Sequence, residues 1–173
     1  LYLNSGGFNN TANGITALRN NTTGAFNTAI GTETLFLNQN GNNNTGLGSS
    51  SLYSNTFGNL NTAVGAGAMF SNGGGSNNTA TGYYALQSNA LGAFNVALGY
   101  LTLSSNTNGL NNTAIGSQAD VLANANNATA IGANATVNTS NSMSFGDANI
   151  ITWAFGRPSV SPGNALQVGT NAT

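Results

Sequence analysis

Asn27-Thr28-Ala29-Ile30-Gly31 returns as Asn112-Thr113-Ala114-Ile115-Gly116, with variants such as Asn61-Thr62-Ala63-Val64-Gly65 and Asn95-Val96-Ala97-Leu98-Gly99 between them. The closing glycines fall at 14, 31, 48, 65, 82, 99 and 116, a constant step of 17. A second glycine column at 7, 24, 41, 58, 75, 92 and 109 keeps the same step. Self-similarity at a fixed period marks a chain built of stacked supersecondary units, so the repeat governs every local reading.

Leu18, Leu35, Leu52, Met69, Leu86 and Leu103 follow the closing glycines by four residues in six successive units. A low-complexity polar tract has no reason to hold an apolar column in phase, so the Asn- and Gly-rich composition is not read as disorder. In the unit 24–40, residues 26–30 and 32–36 form two short runs separated by Gly31. Both are too short for amphipathic helices and suit strands. Loop glycines, as in Asn40-Gly41 and Asn108-Gly109, offer the positive φ of tight turns.

Stacking these units predicts an all-β parallel β-solenoid with two walls per coil, rising ~4.8 Å per coil. Identical residues then lie above one another. The column Asn10, Asn27, Asn44, Asn61, Asn78, Asn95 and Asn112 becomes an amide ladder, in which each side chain serves its neighbour in the next coil.

Alternation along the first strand separates two faces. The face carrying Asn27, Ala29 and Gly31 is small in every unit and is placed inside, against the leucine column. The other carries Phe26, Thr28 and Ile30, and its first position swings between Phe26, Leu60, Phe94 and Asn43, Asn77, Asn111. An apolar outer face asks for a cover, and another copy of the chain is the simplest. Phe26, Ile30, Leu60, Val64, Phe94, Leu98 and Ile115 are therefore the expected interface. The reverse assignment, with the bulky face inside, is the alternative.

Beyond Gly116 the step shortens to 16 at Gly132 and 14 at Gly146, at the expense of loop residues. The repeat domain is read as 1–146. Residues 147–173, with the only Trp and both Pro, are read as a capping segment in which Trp153 and Phe155 close the end. The opening Leu1 points to a mature product or an interior piece of a longer chain.

The composition excludes several function classes. Charged residues make up 3% of the chain, with two Arg, no Lys, no His and no Cys. There is no basic patch for nucleic acid, no apolar run long enough for a membrane span, and no usual general base or activated nucleophile. Glu33 and Asp120 lie about five coils apart, too far for a carboxylate pair. No catalytic, cofactor-binding or metal-binding residue is assigned. The aromatic column Phe36, Tyr53 and Phe70, with Tyr83, Tyr84 and Tyr100, reads either as a stabilising ladder or as a contact surface for a host glycan or protein. The Thr column admits an ice-binding reading, against which stand Phe26, Leu60 and Phe94 on the same face.

The unit Ala128-Thr129-Ala130-Ile131-Gly132 and its successor Ser142-Met143-Ser144-Phe145-Gly146 resemble the head repeats of trimeric autotransporter adhesins. Longer units such as Gly109-Leu110-Asn111-Asn112-Thr113-Ala114-Ile115-Gly116 are similar to repeats of phage tail fibres and large bacterial surface proteins. Trp153-Ala154-Phe155-Gly156, followed by Asn164-Ala165-Leu166-Gln167-Val168-Gly169-Thr170, looks like the stretch before a self-cleaving intramolecular chaperone domain. The 17-residue step is longer than the adhesin repeat. The resemblance implies a left-handed β-roll, a homotrimer and an extracellular or phage appendage. The expected role is a rigid spacer presenting a binding tip. The alternatives are a laterally binding adhesin, an end-to-end filament joined through residues 1–3 and Trp153, and an ice-binding solenoid.

Overall fold

The computed structural model of the chain describes residues 2–122 and 124–147. Its strands are β1 (Thr11–Asn13), β2 (Thr28–Ile30), β3 (Thr45–Leu47), β4 (Thr62–Val64), β5 (Thr79–Thr81) and β6 (Val96–Leu98). They continue as β7 (Thr113–Ile115), β8 (Asp120–Val121), β9 (Thr129–Ile131), β10 (Thr136–Val137) and β11 (Met143–Phe145). Nine of these form one parallel sheet in the order β1-β2-β3-β4-β5-β6-β7-β9-β11, and β8 pairs with β10 in a second. No helix occurs among the described residues.

The register follows the repeat. Thr28 pairs with Thr45 and Thr45 with Thr62, one 17-residue coil apart. Thr113 pairs with Thr129 and Thr129 with Met143, where the step falls to 16 and then 14. Strand length is unchanged from β7 to β11 except at the short second-wall strands, so the shortening is taken from the connections.

The expected second wall of strands is absent from the 17-residue coils. Residues 32–37 form turns, because two of them, Glu33 (φ 58°) and Leu35 (φ 53°), adopt the left-handed conformation. Left-handed residues alternating with ordinary ones curl the backbone instead of extending it. The wall is nonetheless bonded coil to coil: Leu35 N–H donates to Ser51 O (3.0 Å) and Glu33 N–H to Ile15 O (2.8 Å). Among the described residues a true second strand appears only at β8 and β10, in the shortened coils.

The first run is also shorter than its sequence implies. Phe26 precedes the strand and is itself left-handed (φ 58°), so extended pairing begins at Thr28.

The core is thin. The strand-centre residues Ala29, Ala63, Ala80, Ala97, Ala114 and Ala130 are buried, as is the whole column Leu18, Leu35, Leu52, Met69, Leu86 and Leu103. The small face is thus inside and the bulky face outside. Each buried leucine-column residue is left-handed, with φ between 50° and 55°. Burial of a full apolar side chain, ~1.5–3 kcal/mol, offsets that conformational cost.

The two glycine columns are required for different reasons. Gly31 has φ +129°, and a Cβ there would also lie 2.8 Å from Gly48 O. Gly75 belongs to the other column and is not left-handed. It is needed for space, because a Cβ would sit 2.5 Å from Asn72 Oδ1 and against the Gly92 carbonyl. The expectation that loop glycines serve positive φ therefore fails for this column; close approach of neighbouring coils is the cause.

Candidate functional site

Two polar ladders run inside the coil. In the first, Asn27 Oδ1 accepts the backbone N–H of Asn44 (3.0 Å), and Asn44 Nδ2 donates to Gly58 O (2.8 Å). The side chain thus splints backbone to backbone more than amide to amide. The second ladder consists of Asn21, Asn38, Asn55, Asn72, Asn89 and Asn106, all fully buried. Asn55 Nδ2 donates to Asn38 Oδ1 (2.8 Å) and to Gly58 O (2.9 Å), and its Oδ1 accepts from Asn72 Nδ2 (2.7 Å). Sequence reasoning missed this ladder, although its signal is plain: an Asn stands three residues before each glycine of the second column, as Asn21 before Gly24 and Asn38 before Gly41. Buried amides this well satisfied hold the coil together and leave no polar group for chemistry.

Outside, the main sheet presents a Thr column and beside it Ile30, Leu47, Val64, Leu98 and Ile115. Ile30, Leu47, Leu98 and Ile115 are exposed and Val64 is half-buried. Phe26, Leu60 and Phe94 protrude next to them and are exposed. Of the seven residues expected at an interface, Ile30, Val64, Leu98 and Ile115 share the outer face of the sheet in its register, and Phe26, Leu60 and Phe94 are exposed two residues before their strands.

The aromatic column lies on the opposite, turn-built wall. Phe36 and Tyr53 stack with centroids 5.1 Å apart and planes 10° apart; Tyr53 and Phe70 stack at 4.9 Å and 6°. Arg19, one coil earlier in the column, places its guanidinium 5.9 Å from the Phe36 ring and 5.7 Å from that of Tyr2. Tyr53 has both ring faces covered by its neighbours, so this ladder offers mainly ring edges outward. Such stacking is worth ~0.5–1.5 kcal/mol per pair beyond area burial.

Tyr83, Tyr84 and Tyr100 form a second cluster. Tyr83 meets Tyr84 edge to face at 4.5 Å and stacks on Tyr100 at 5.7 Å. Tyr84 lies over Gly67, where a Cβ would come within 2.6 Å of its Cδ1. Tyr83 and Tyr100 are about half exposed. The six aromatic candidates thus separate into two groups, one locked in a ladder and one more open.

The acidic groups stay dispersed. Glu33 accepts from Ser50 Oγ (3.3 Å). Asp120 sits where the coil shortens, beside a groove of about 320 Å³ lined by Leu101, Ser104, Gln118, Leu122, Asn134 and Thr136. Its Oδ1 accepts the backbone N–H of Val121 (2.9 Å) and, more weakly, of Ser105 (3.4 Å). Burial raises its pKa above the ordinary carboxylate value, against hydrogen bonds from Ser105 and Val121 that lower it. Among the described residues no group of three His, Cys, Asp or Glu could hold a metal ion, and no helix is long and apolar enough to cross a membrane. Trp153, Phe155 and the rest of the expected capping segment after Asp147 lie outside the described residues, as does Leu1.

No family model matches this chain, and no curated protein matches it.

Proposed function

We propose that the chain is a structural segment of an extracellular or phage appendage: a rigid, homotrimeric, left-handed β-roll that acts as a spacer carrying a binding tip. The observation that supports it most is the uninterrupted coil-to-coil bonding. It runs through nine paired strands, the turn-built wall and two buried Asn ladders. Bonding of this kind resists bending along its whole length, about 38 Å for eight inter-strand steps of ~4.8 Å. The outer apolar stripe supports burial against further copies. The dispersed carboxylates favour a mechanical over a catalytic role.

Sedimentation equilibrium with small-angle scattering tests this reading. The expected particle is a discrete trimer of elongated shape. A compact monomer at high concentration would overturn it.

A second reading, a laterally binding adhesin for a host glycan or protein, is favoured by the open pair Tyr83 and Tyr100. Saturable binding to immobilised matrix or glycan by this segment alone, lost in Tyr100→Ala, would establish it over the spacer.

A further inference from the structure

Three apolar residues on the outer face carry two penalties at once. The position two residues before each strand of the main sheet is left-handed in every described coil: Asn43 (φ 56°), Asn77 (φ 59°) and Asn111 (φ 57°), but also Phe26, Leu60 and Phe94, each at φ 58°. The coil imposes this conformation whatever the side chain. Asn43 N–H donates to Ala25 O and Leu60 N–H to Asn42 O, both at 3.0 Å, each reaching back to the preceding coil. Asn tolerates the left-handed region, whereas bulky residues are outliers there.

In the leucine column the same cost is met by complete burial. Here it is not: Phe26, Leu60 and Phe94 are 50%, 56% and 58% exposed. Phe26 gains one edge-to-face contact, with Phe8 at 5.1 Å, and is still half open to solvent. Within the single chain, Asn would serve better at all three positions. An observed backbone outlier without local compensation points to a function outside the chain.

We propose that Phe26, Leu60 and Phe94 are assembly knobs, at which the fold gives up single-chain stability for contact with another copy of itself. Their spacing identifies the partner. They recur every 34 residues, two coils or about 9.6 Å, with Asn between. A surface that meets all three must repeat at that distance, and a second copy does so by construction. The alternation also sets axial register. When copies align, apolar rungs meet apolar rungs and Asn meets Asn, whereas a slip of one coil sets every knob on an amide, the device by which buried Asn fixes register in coiled coils. This rests on the homo-oligomeric reading above.

The test compares wild type with the triple variant Phe26→Asn, Leu60→Asn, Phe94→Asn. Sedimentation over a dilution series gives the association constant, and thermal unfolding is read at a dilution where each protein is monomeric. The expected result is association weakened at least tenfold together with a higher monomer Tm. If wild type assembles and the triple variant assembles equally well, the knob assignment is overturned and the oligomer stands. A lower monomer Tm would make these residues ordinary packing groups and overturn it too. Wild type that stays monomeric throughout removes the oligomeric reading and this one with it. Should the triple variant not fold, Leu60→Asn alone is read by the same criteria.

Discussion

The methyl group of Thr34 occupies the space that a side chain at Gly46 would need: a Cβ on Gly46 would lie 2.5 Å from Thr34 Cγ2 and 3.0 Å from Ser51 Oγ. Gly46 is the one glycine in a column otherwise filled by Ala from Ala29 to Ala130. By the same sequence offsets, Ala29 lies between Ala17 and Thr34, Ala63 between Ser51 and Ala68, and Ala114 between Thr102 and Ala119. Only Gly46 is flanked by two hydroxyl residues. Gly46→Ala is expected to destabilise the chain by ~1–3 kcal/mol through overpacking. Adding Thr34→Ala should recover most of that loss. A double-mutant cycle by urea unfolding reads the coupling; purely additive effects would show that the two sites do not compete for space.

Asn55 tests the buried ladder that composition alone disguises. Its side chain meets Asn38 Oδ1, Gly58 O and Asn72 Nδ2. Asn55→Ala leaves Asn38 Oδ1 and one N–H of Asn72 unmet in a dry interior, at ~1–3 kcal/mol for each, while Gly58 O keeps the bond from Asn44 Nδ2. A total loss on the order of 3 kcal/mol or more is expected. An exposed Asn such as Asn13 in β1, whose backbone is not left-handed, should lose only a few tenths on the same change. Equal losses for the two variants in chemical denaturation would refute a structural role for the ladder.

How much of this was readable beforehand divides along physical lines. The strand, its register and the inner and outer faces follow from columns in phase, since Ala29, Ile30 and Leu35 recur where stacked coils require them. The turn-built wall does not. Residues 32–36, with Thr32, Thr34, Leu35 and Phe36, have the length and residue types of a short strand, and hydropathy carries no information on the sign of φ at Glu33 or Leu35. The Asn38 column was visible as a period but looked like loop composition, because an Asn before a glycine usually signals a turn. Coil-to-coil distance turned it into a core residue. The aromatic column was legible as a stack; its ring faces being mutually covered at Tyr53 was not, because that depends on side-chain orientation.

Neighbouring glycines in one loop should respond in opposite ways. At Gly73 a Cβ would meet only Ala90 O, at an ordinary 3.5 Å, and the backbone is not left-handed. At Gly75 it would run into Asn72, Asn89 and the Gly92 carbonyl. Gly73→Ala is expected to raise stability by ~0.4–1 kcal/mol, because the unfolded chain loses freedom at no native cost. Gly75→Ala should lower it by several times that amount, since both the Asn ladder and the next coil must shift. Differential scanning calorimetry of the two single variants decides; a stabilised Gly75→Ala would mean that the coils are not packed as closely as described.

Asp120 is where stability should depend on pH. Its carboxylate replaces a backbone acceptor for Ser105 at the point where the coil loses a residue, and burial raises its pKa above the unfolded value of ~3.9. A raised carboxylate pKa means that the folded state binds the proton more tightly. The extra stability is fully present below the unfolded pKa and is lost as pH rises through the folded value. Asp120→Asn keeps an oxygen for the Ser105 and Val121 amides while removing the charge. It should therefore match or exceed wild type at neutral pH, and its advantage should shrink toward pH 4. Asp120→Ala, without the acceptor, should be less stable than Asp120→Asn at every pH. Urea midpoints for the three proteins from pH 4 to 8 give the answer. Because Glu33 and Asp147 are common to all of them, the difference between curves belongs to Asp120; an Asp120→Asn curve that falls progressively below wild type as pH rises would mean that the charge stabilises the junction.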